Sequence, residues 1–133
     1  MRIGVLGSGQ MGSGIAHTAA LFGIDVLLAD QERSLVEKAK SKIEGRLKKQ
    51  VEKGKMEEKA VADTLARIGV GDGIQDFKNV DIAIEAVSEN ETLKLELFRK
   101  LDEACPDSAI LASNTSSISI TRIAAVTRRP EKV

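Results

Sequence analysis

The sequence predicts an α/β domain built on a doubly wound parallel sheet, and three observations support this prediction. Short apolar runs that suit buried strands alternate with amphipathic stretches of helical period. A glycine-rich turn joins the first apolar run to the first helical stretch. The 133 residues suffice for one domain with its own core, without disulfides or metal. Ligands of such sheets gather at the carboxyl ends of the strands.

The first unit is a strand, a glycine turn, a helix and a second strand. Residues Arg2 to Leu6 form the first strand, which ends at Gly7. Small and apolar residues recur at helical spacing from Met11 to Phe22, and Gly23 supplies a C-terminal stop. The segment DVLLAD is a second buried strand that ends on Asp30.

A helical hairpin is predicted between the second and third strands. Apolar residues spaced by three or four run through the charged stretch from Glu32 to Lys55, which predicts one long amphipathic helix ending at Gly54. The segment MEEKAVADTLARI makes a shorter helix that returns to a third strand, RIGVGD. This crossover is longer than the single helix of an ordinary βαβ unit.

The rest of the chain continues the alternation. VDIAIEAV is the fourth strand, and Ser88 with Glu91 has the spacing of a capping box. One face of the next helix is formed by Leu93, Leu97, Leu101 and Cys105. SAILASN is the fifth strand, ISITRIAAVT a short last helix, and RRPEKV leads toward a further strand. The predicted architecture is therefore a Rossmann-type doubly wound parallel sheet with a helical hairpin insertion between strands 2 and 3.

Composition narrows the range of partners. Twenty basic and twenty acidic residues cancel, so no summed field attracts nucleic acid or an anionic membrane, and we expect neither as a partner. The single cysteine cannot form an internal disulfide, and no apolar stretch reaches the length of a bilayer span, so a cytoplasmic location is expected. No Cys/His cluster suggests a metal, and Cys105 and the lone His17 are expected to be packing residues.

The glycine turn has the spacing G-x-G-x-x-G at Gly7, Gly9 and Gly12. This spacing alone is weak evidence for nucleotide binding. Here, however, the motif follows a strand, opens a helix and precedes an acidic residue, Asp30, at the end of the next strand. The first glycine makes a tight turn, the second admits a pyrophosphate and the third lets the helix pack close to the strand. The sequence therefore predicts a dinucleotide site, against the alternative of a purely structural turn.

The same segment predicts which dinucleotide binds. The carboxylate of Asp30 accepts hydrogen bonds from ribose hydroxyls and repels a 2′-phosphate, which favours NAD over NADP. A phosphate-binding P-loop is excluded because no G-K-[ST] follows the glycines. The predicted cofactor contacts of the turn are Gly7, Ser8, Gly9, Gln10, Met11 and Gly12.

Four segments together resemble the NAD-binding half of the short-chain L-3-hydroxyacyl-CoA dehydrogenases: GSGQMGSGIA, LLADQ, EAVSENETLKLELF and ILASNTSSISIT. The glycine pattern is shared with other hydroxyacid dehydrogenases. The E-x-V-x-E-N and SNTSS segments, in this order, are more specific. The resemblance covers essentially the whole chain.

The resemblance implies roles for individual residues. Glu89 and Lys94 match a glutamate and a lysine that lie beside the nicotinamide ribose in the family. Ser116 matches a serine that contacts the nicotinamide end and the 3-hydroxyl of the substrate, and Asn114 shapes the same loop. Without the resemblance, the same residues read as a helix start and a strand-end turn.

The resemblance also implies a coenzyme A site on the helical hairpin. Lys53 aligns with a family lysine that contacts coenzyme A. A family serine seven residues earlier is replaced here by Arg46, a departure that puts a second cation near the expected phosphates. The implied partners are 3-hydroxyacyl-CoA and 3-ketoacyl-CoA substrates.

The resemblance implies that catalysis needs residues other than these. The family's general base is a histidine in an H-F-x-N-P stretch beyond the point that matches Val133, and a helical substrate and dimerisation domain follows it. We therefore expect residues 1–133 to form the NAD-binding domain alone, to bind NAD with little activity, and to belong to a homodimer when full length. The alternatives are the cofactor domain of a related 3-hydroxyacid dehydrogenase and a freestanding NAD-binding module.

Overall fold

The structure, a computed structural model, describes residues 1–133 and contains five strands and five α-helices. The strands are β1 (Arg2–Leu6), β2 (Asp25–Ala29), β3 (Ile68–Val70), β4 (Ile82–Glu85) and β5 (Ile110–Ser113). The helices are α1 (Gln10–Leu21), α2 (Arg33–Glu52), α3 (Glu58–Ala66), α4 (Glu91–Ala104) and α5 (Ile120–Ala124). Two 3₁₀ turns occupy Ile74–Phe77 and Pro130–Lys132. None of the helices combines the length and apolar character needed to cross a membrane.

The sheet has the strand order β3-β2-β1-β4-β5, and every neighbouring pair is parallel. The chain reverses its direction of travel across the sheet between β1 and β4, so the topological switch point lies there. In register, Leu6 of β1 lies between Ala29 of β2 and Glu85 of β4. The carboxyl ends of these three strands therefore meet along one edge, where ligands of open α/β sheets bind.

The sheet separates two apolar cores, which confirms the doubly wound prediction. On one face, α1, α2 and α3 cover alternate strand residues such as Val26 and Leu28. On the other face, α4, α5 and the first 3₁₀ turn cover Leu27 and Ala29. Alternation of this kind follows from the two-residue period of a strand buried on both sides.

The predicted helical hairpin is present between β2 and β3, where α2 and α3 pack against each other. Buried side chains of α2 recur at Val36, Ala39, Ile43 and Leu47, as the apolar spacing predicts. The turn between the helices passes through Gly54 at φ +69°, a left-handed conformation that glycine adopts without a steric cost.

The start of α4 differs from the prediction. The N-cap is Asn90, whose side-chain oxygen accepts a hydrogen bond from the Leu93 N–H at 3.0 Å, so the capping box at Ser88 is wrong. The fully buried face of the helix carries Lys94, Phe98, Leu101 and Asp102, because two buried charges find partners there. Leu93 and Leu97 are half-buried and border an open cavity.

The last residues also differ from the expected extended start of a strand. Pro130–Lys132 forms a 3₁₀ turn, which the fixed φ of proline at its first position favours. Just before it, Arg129 is buried and its guanidinium lies 2.8 Å from Asp102 Oδ1. The same guanidinium donates to the carbonyl oxygens of Asp102, Cys105, Pro106 and Ala109. This arginine holds the end of α4 against the start of β5.

Candidate nucleotide site

At two positions of the glycine turn, neighbouring backbone lies too close for any side chain to fit. Gly7 has φ +110°, and its N–H donates to the carbonyl oxygen of Ala29 at 2.8 Å. A Cβ at Gly7 would lie 2.5 Å from the carbonyl oxygen of Ala86, and one at Gly12 would lie 1.8 Å from the carbonyl oxygen of Gly7. These two positions accept only glycine because backbone, not a movable side chain, occupies the space.

Gly9 differs from the other two glycines of the motif. It is the N-cap of α1 and makes no side-chain cap, and a Cβ there would meet nothing within 4 Å. The space above the turn is therefore open, and the first-turn N–H groups of α1 have no intrahelical partner. A pyrophosphate fits this arrangement, because it accepts from those N–H groups and interacts favourably with the positive end of the helix dipole.

Asp30 lies directly after β2 and holds the turn in place. Its Oδ2 accepts from the Ser8 N–H at 2.7 Å and the Ser8 hydroxyl at 2.6 Å, and its Oδ1 accepts from the Gln31 N–H at 2.7 Å. The Ser8 side chain thus points to the carboxylate. Gln10 and Met11 lie on the exposed first turn of α1. Lone pairs of Oδ1 remain available for a ribose hydroxyl.

An open cavity of about 400 Å³ borders Asp30 on the face covered by α4. Apolar side chains of its wall come from four different elements or loops and include Leu6, Ile74, Val87 and Leu97. The cavity therefore offers an apolar wall beside the carboxylate of Asp30. No sequence pattern predicted that these side chains line one cavity, because they converge only through the sheet topology.

At the carboxyl end of β4, a buried ion pair lies under the crevice. Lys94 Nζ is 2.6 Å from Glu85 Oε2, and these side chains are 2% and 0% exposed. Glu85 also accepts hydrogen bonds from the Val87 N–H at 2.7 Å and the Ser113 hydroxyl at 2.6 Å. The sequence motifs predicted no role for Glu85. A charged residue in an otherwise apolar strand nevertheless indicates a buried polar cluster, since buried carboxylates require partners.

Glu89 joins the loop before α4 to the SNTSS loop after β5. Its carboxylate accepts from the hydroxyls of Thr115 and Ser117 at 3.0 Å and from the Ser116 N–H at 3.4 Å, and it lies 3.4 Å from Lys94 Nζ. Desolvation opposes ionisation, but the hydrogen bonds and the Lys94 charge outweigh it and hold the pKa of Glu89 below its ordinary value. Glu89 is therefore a carboxylate at neutral pH.

Three of the predicted nicotinamide-side residues thus lie together. Glu89 contacts both Lys94 and Ser116, while the side chains of Ser116 and Asn114 are exposed on the same loop. Asn114 continues the sheet, since its N–H donates to the carbonyl oxygen of Glu85 at 2.8 Å. Two hydroxyl or amide side chains are therefore free to contact a ligand above β4 and β5.

Lys53 lies at the C-terminal end of α2, in a separate groove of about 490 Å³ between α1 and α2. This groove is strongly basic, because Arg46, Lys49 and Lys55 line it together with Lys53. His17 also borders it, and burial together with the nearby Arg46 charge lowers the pKa of this imidazole. The groove therefore suits an anion.

Arg46 connects two regions of the surface. Besides the groove at Lys53, it borders a second groove of about 560 Å³ that runs past Gly9, Asp30 and Lys42. A cationic surface thus extends along α2 from the glycine turn toward the end of the hairpin. The structure brings the predicted hairpin residues Lys53 and Arg46 together on this surface.

The fold and the glycine turn define the chain as a dinucleotide-binding domain of the Rossmann type. Comparison with known proteins narrows this class. The sequence profile of the family described as "3-hydroxyacyl-CoA dehydrogenase, NAD binding domain" matches residues 2–133. The chain belongs to this family, and its cofactor is NAD.

Individual relatives agree with the family assignment. A probable 3-hydroxybutyryl-CoA dehydrogenase of Bacillus subtilis is 45% identical over 99% of this chain and 46% of the relative. The (S)-3-hydroxybutyryl-CoA dehydrogenase structure from Ralstonia eutropha matches with a TM-score of 0.95 at 39% identity, over 98% of this chain and 46% of that one. A 3-hydroxyadipyl-CoA dehydrogenase of Escherichia coli is 42% identical over 98% of this chain and 28% of the relative. The chain spans about half the length of the 3-hydroxybutyryl-CoA dehydrogenases it matches.

Proposed function

We propose that residues 1–133 form the NAD-binding domain of an enzyme that interconverts 3-hydroxyacyl-CoA and 3-ketoacyl-CoA thioesters. The observation that carries this proposal is the convergence of Glu89, Lys94 and the SNTSS loop at the carboxyl ends of β4 and β5. These ends lie on the opposite side of the switch point from Asp30. A dinucleotide that crosses the switch point with its adenosine ribose at Asp30 has its nicotinamide above β4 and β5.

The chain's own residues then have distinct tasks. The first-turn N–H groups of α1 bind the pyrophosphate, and Asp30 binds the adenosine ribose. Glu89 holds the SNTSS loop through three donors, so that Ser116 presents its free hydroxyl to the nicotinamide end and to the 3-hydroxyl of the substrate. When bound, NAD accepts the hydride that leaves C3 of the substrate. Positioning of this kind supplies a large part of a rate enhancement.

We propose that the proton acceptor comes from outside residues 1–133. Oxidation of a hydroxyl needs a general base, and histidine fills that role most often. The one histidine of this chain, His17, lies on α1 in the groove with Lys53, on a different part of the surface from the SNTSS loop. The relatives extend beyond the 46% of their length that this chain spans, and a helical domain in that remainder is the proposed source of the base and of the dimer contact.

The basic groove is the proposed site for the phosphates of coenzyme A. Lys53 and Arg46 line it with two further lysines, which gives four cations around one open groove. The test is direct binding of coenzyme A to the chain. Lys53→Ala weakens binding by about 1 to 2 kcal/mol, since a charge-assisted hydrogen bond to phosphate is lost. Lys59→Ala, on the exposed face of α3, is the matched control and leaves the affinity unchanged.

The proposed reaction is tested with the full-length gene product. We expect NAD-dependent turnover of 3-hydroxybutyryl-CoA and none of free 3-hydroxybutyrate. Turnover of the free acid alone contradicts the thioester assignment and favours a related hydroxyacid dehydrogenase. NAD binding without turnover of either compound favours a freestanding NAD-binding module.

A further inference from the structure

Glu85 has no task in the reaction proposed above, yet it is the most enclosed carboxylate of the site. Its side chain is 0% exposed and accepts from three donors: Lys94 Nζ, the Val87 N–H and the Ser113 hydroxyl. One of these three donors is a cation, and partners of this kind are what a buried carboxylate requires. Glu85 is therefore a buried negative charge below the crevice.

Lys94 divides its interactions unequally between two carboxylates. Its Nζ is 2.6 Å from Glu85 Oε2 but 3.4 Å from Glu89 Oε1, and its third contact is the carbonyl oxygen of Val87 at 3.3 Å. The shorter, fully buried contact is the stronger of the two ion pairs. Two carboxylates and one ammonium leave a net charge of −1, and this charge resides on Glu89, whose side chain is 43% exposed.

Stability alone is a weak explanation for this arrangement. Well-packed apolar residues commonly replace a buried ion pair without loss of stability, because burying both ions removes their hydration. The cluster instead lies where the nicotinamide end of the cofactor is proposed to bind. The nicotinamide ring is positively charged in NAD⁺ and neutral in NADH, so a net negative charge beside it acts differently on the two forms.

We propose that Glu85 is a positioning residue that acts as an internal counterion: it engages Lys94 more closely than Glu89 does, leaves the charge of Glu89 only partly compensated, and thereby favours NAD⁺ relative to NADH. This inference rests on the proposed function, which puts the nicotinamide end above β4 and β5. It assigns Glu85 an effect on the ratio of two affinities rather than on binding as such.

The test measures the dissociation constants of NAD⁺ and NADH for the chain by calorimetry. In Glu85→Gln the ammonium of Lys94 loses its nearest carboxylate and turns to Glu89, so the cluster becomes neutral. The Kd of NAD⁺ divided by the Kd of NADH is expected to rise about fivefold, as for loss of one partly screened charge. Glu89→Gln, at an exposed side chain, removes the same charge directly and produces the same rise.

Two further variants separate charge from structure. Glu85→Asp keeps the buried charge with a shorter side chain, so it lowers stability but leaves the ratio at the parental value. Glu103→Gln removes an exposed carboxylate from the last turn of α4 and also leaves the ratio unchanged. Circular dichroism establishes that each variant is folded, and if Glu85→Gln does not fold, Glu89→Gln decides the outcome.

The possible failures are distinct. A parent chain that binds neither nucleotide overturns the proposed function and this inference with it. A parent chain that binds both, with an unchanged ratio in Glu85→Gln and Glu89→Gln, overturns this inference alone. An equal rise of the ratio in Glu85→Asp and Glu85→Gln also overturns it, because packing and not charge is then the cause.

Discussion

The Cα of Gly12 faces the carbonyl oxygen of Gly7 so closely that a methyl group on it would lie 1.8 Å from that oxygen. The first turn of α1 therefore rests on the turn that precedes it, backbone against backbone. Close contact of this kind fixes where the helix N-terminus points, and so where a pyrophosphate binds. Packing requires glycine at this third position of the motif, and the packing in turn positions the helix N-terminus for pyrophosphate binding.

Gly12→Ala is expected to lower the free energy of unfolding by about 3 kcal/mol, because neither backbone segment moves without disturbing the sheet edge. NADH binding is lost with it. Gly14→Ala is the matched control in the same helix, since a Cβ there meets nothing within 4 Å. It raises the stability by about 0.5 to 1 kcal/mol through better helix propensity. Chemical denaturation measures the free energy of unfolding of both variants. Equal stability of the two would contradict the close contact between Gly12 and the Gly7 carbonyl oxygen.

Asp30→Ala is expected to weaken NADH binding by about 1 to 3 kcal/mol, because a charged acceptor for the ribose is lost. The same change also frees the Ser8 N–H and hydroxyl, which both donate to this carboxylate. NADPH binding weakens less or improves, since the charge that repels a 2′-phosphate is gone. Fluorescence titration with both nucleotides measures the two affinities. Unchanged NADH affinity in the variant removes Asp30 from the site.

Arg129→Met is expected to lower the free energy of unfolding by about 3 to 5 kcal/mol at neutral pH, because it leaves buried Asp102 without its enclosed partner. Arg128→Met is the matched control. Arg128 contacts the same carboxylate at 3.0 Å but is 70% exposed, so its loss costs about 1 kcal/mol or less. Thermal or urea unfolding compares the two, and equal losses contradict the role of burial.

The same pair predicts how stability depends on pH. Burial raises the pKa of Asp102, but hydrogen bonds from Arg128 and Arg129 outweigh this and lower it below its ordinary value. A lowered pKa in the folded state adds stability above the unfolded pKa of about 3.9, and this contribution is lost as the pH falls through the folded value. The difference between the parent and Arg129→Met therefore narrows below about pH 4. A constant difference down to lower pH contradicts this linkage.

Cys105 is expected to be unreactive in the folded chain. Burial raises the pKa of its thiol to about 11, an effect that nearby Asp102 adds to and Arg129 opposes. The reactive thiolate is thus absent near neutral pH. A thiol reagent at about pH 8 leaves the native chain unmodified and labels one group after denaturation, since the chain has a single cysteine. Stoichiometric labelling of the native chain contradicts the burial of this side chain.

The local pattern of apolar, polar and glycine residues predicted most of the architecture. The alternation of apolar runs and helical periods located all five strands and five α-helices, and the long crossover predicted the hairpin of α2 and α3. The glycine spacing identified the turn, because Gly7 and Gly12 have no room for a side chain and Gly9 leaves open space between them, all within the first twelve residues. Such features depend on residues that are close in the sequence, so the sequence alone is enough to predict them.

Features that depend on distant partners were missed. The α4 cap moved from Ser88 to Asn90, since both residue types cap helices and only the local geometry selects one. The family resemblance predicts a role for Lys94, but no local pattern predicts that Glu85 from the preceding strand holds its side chain in the interior. Likewise, Arg129 in the run of charges near the C-terminal end is buried because Asp102 lies opposite it. The last two exceptions are buried charges whose partners are set by the tertiary fold.

The division of the interior by the sheet has a consequence for how such a domain changes over time. Ile43 of α2 and Leu101 of α4 lie in different cores, with the strands between them. Substitutions at sites that share no contacts change the free energy of unfolding independently. The hairpin side, which carries the basic groove, can therefore acquire new side chains for a new substrate while the opposite side keeps its packing. The two cores are in this sense separately heritable parts of one small fold.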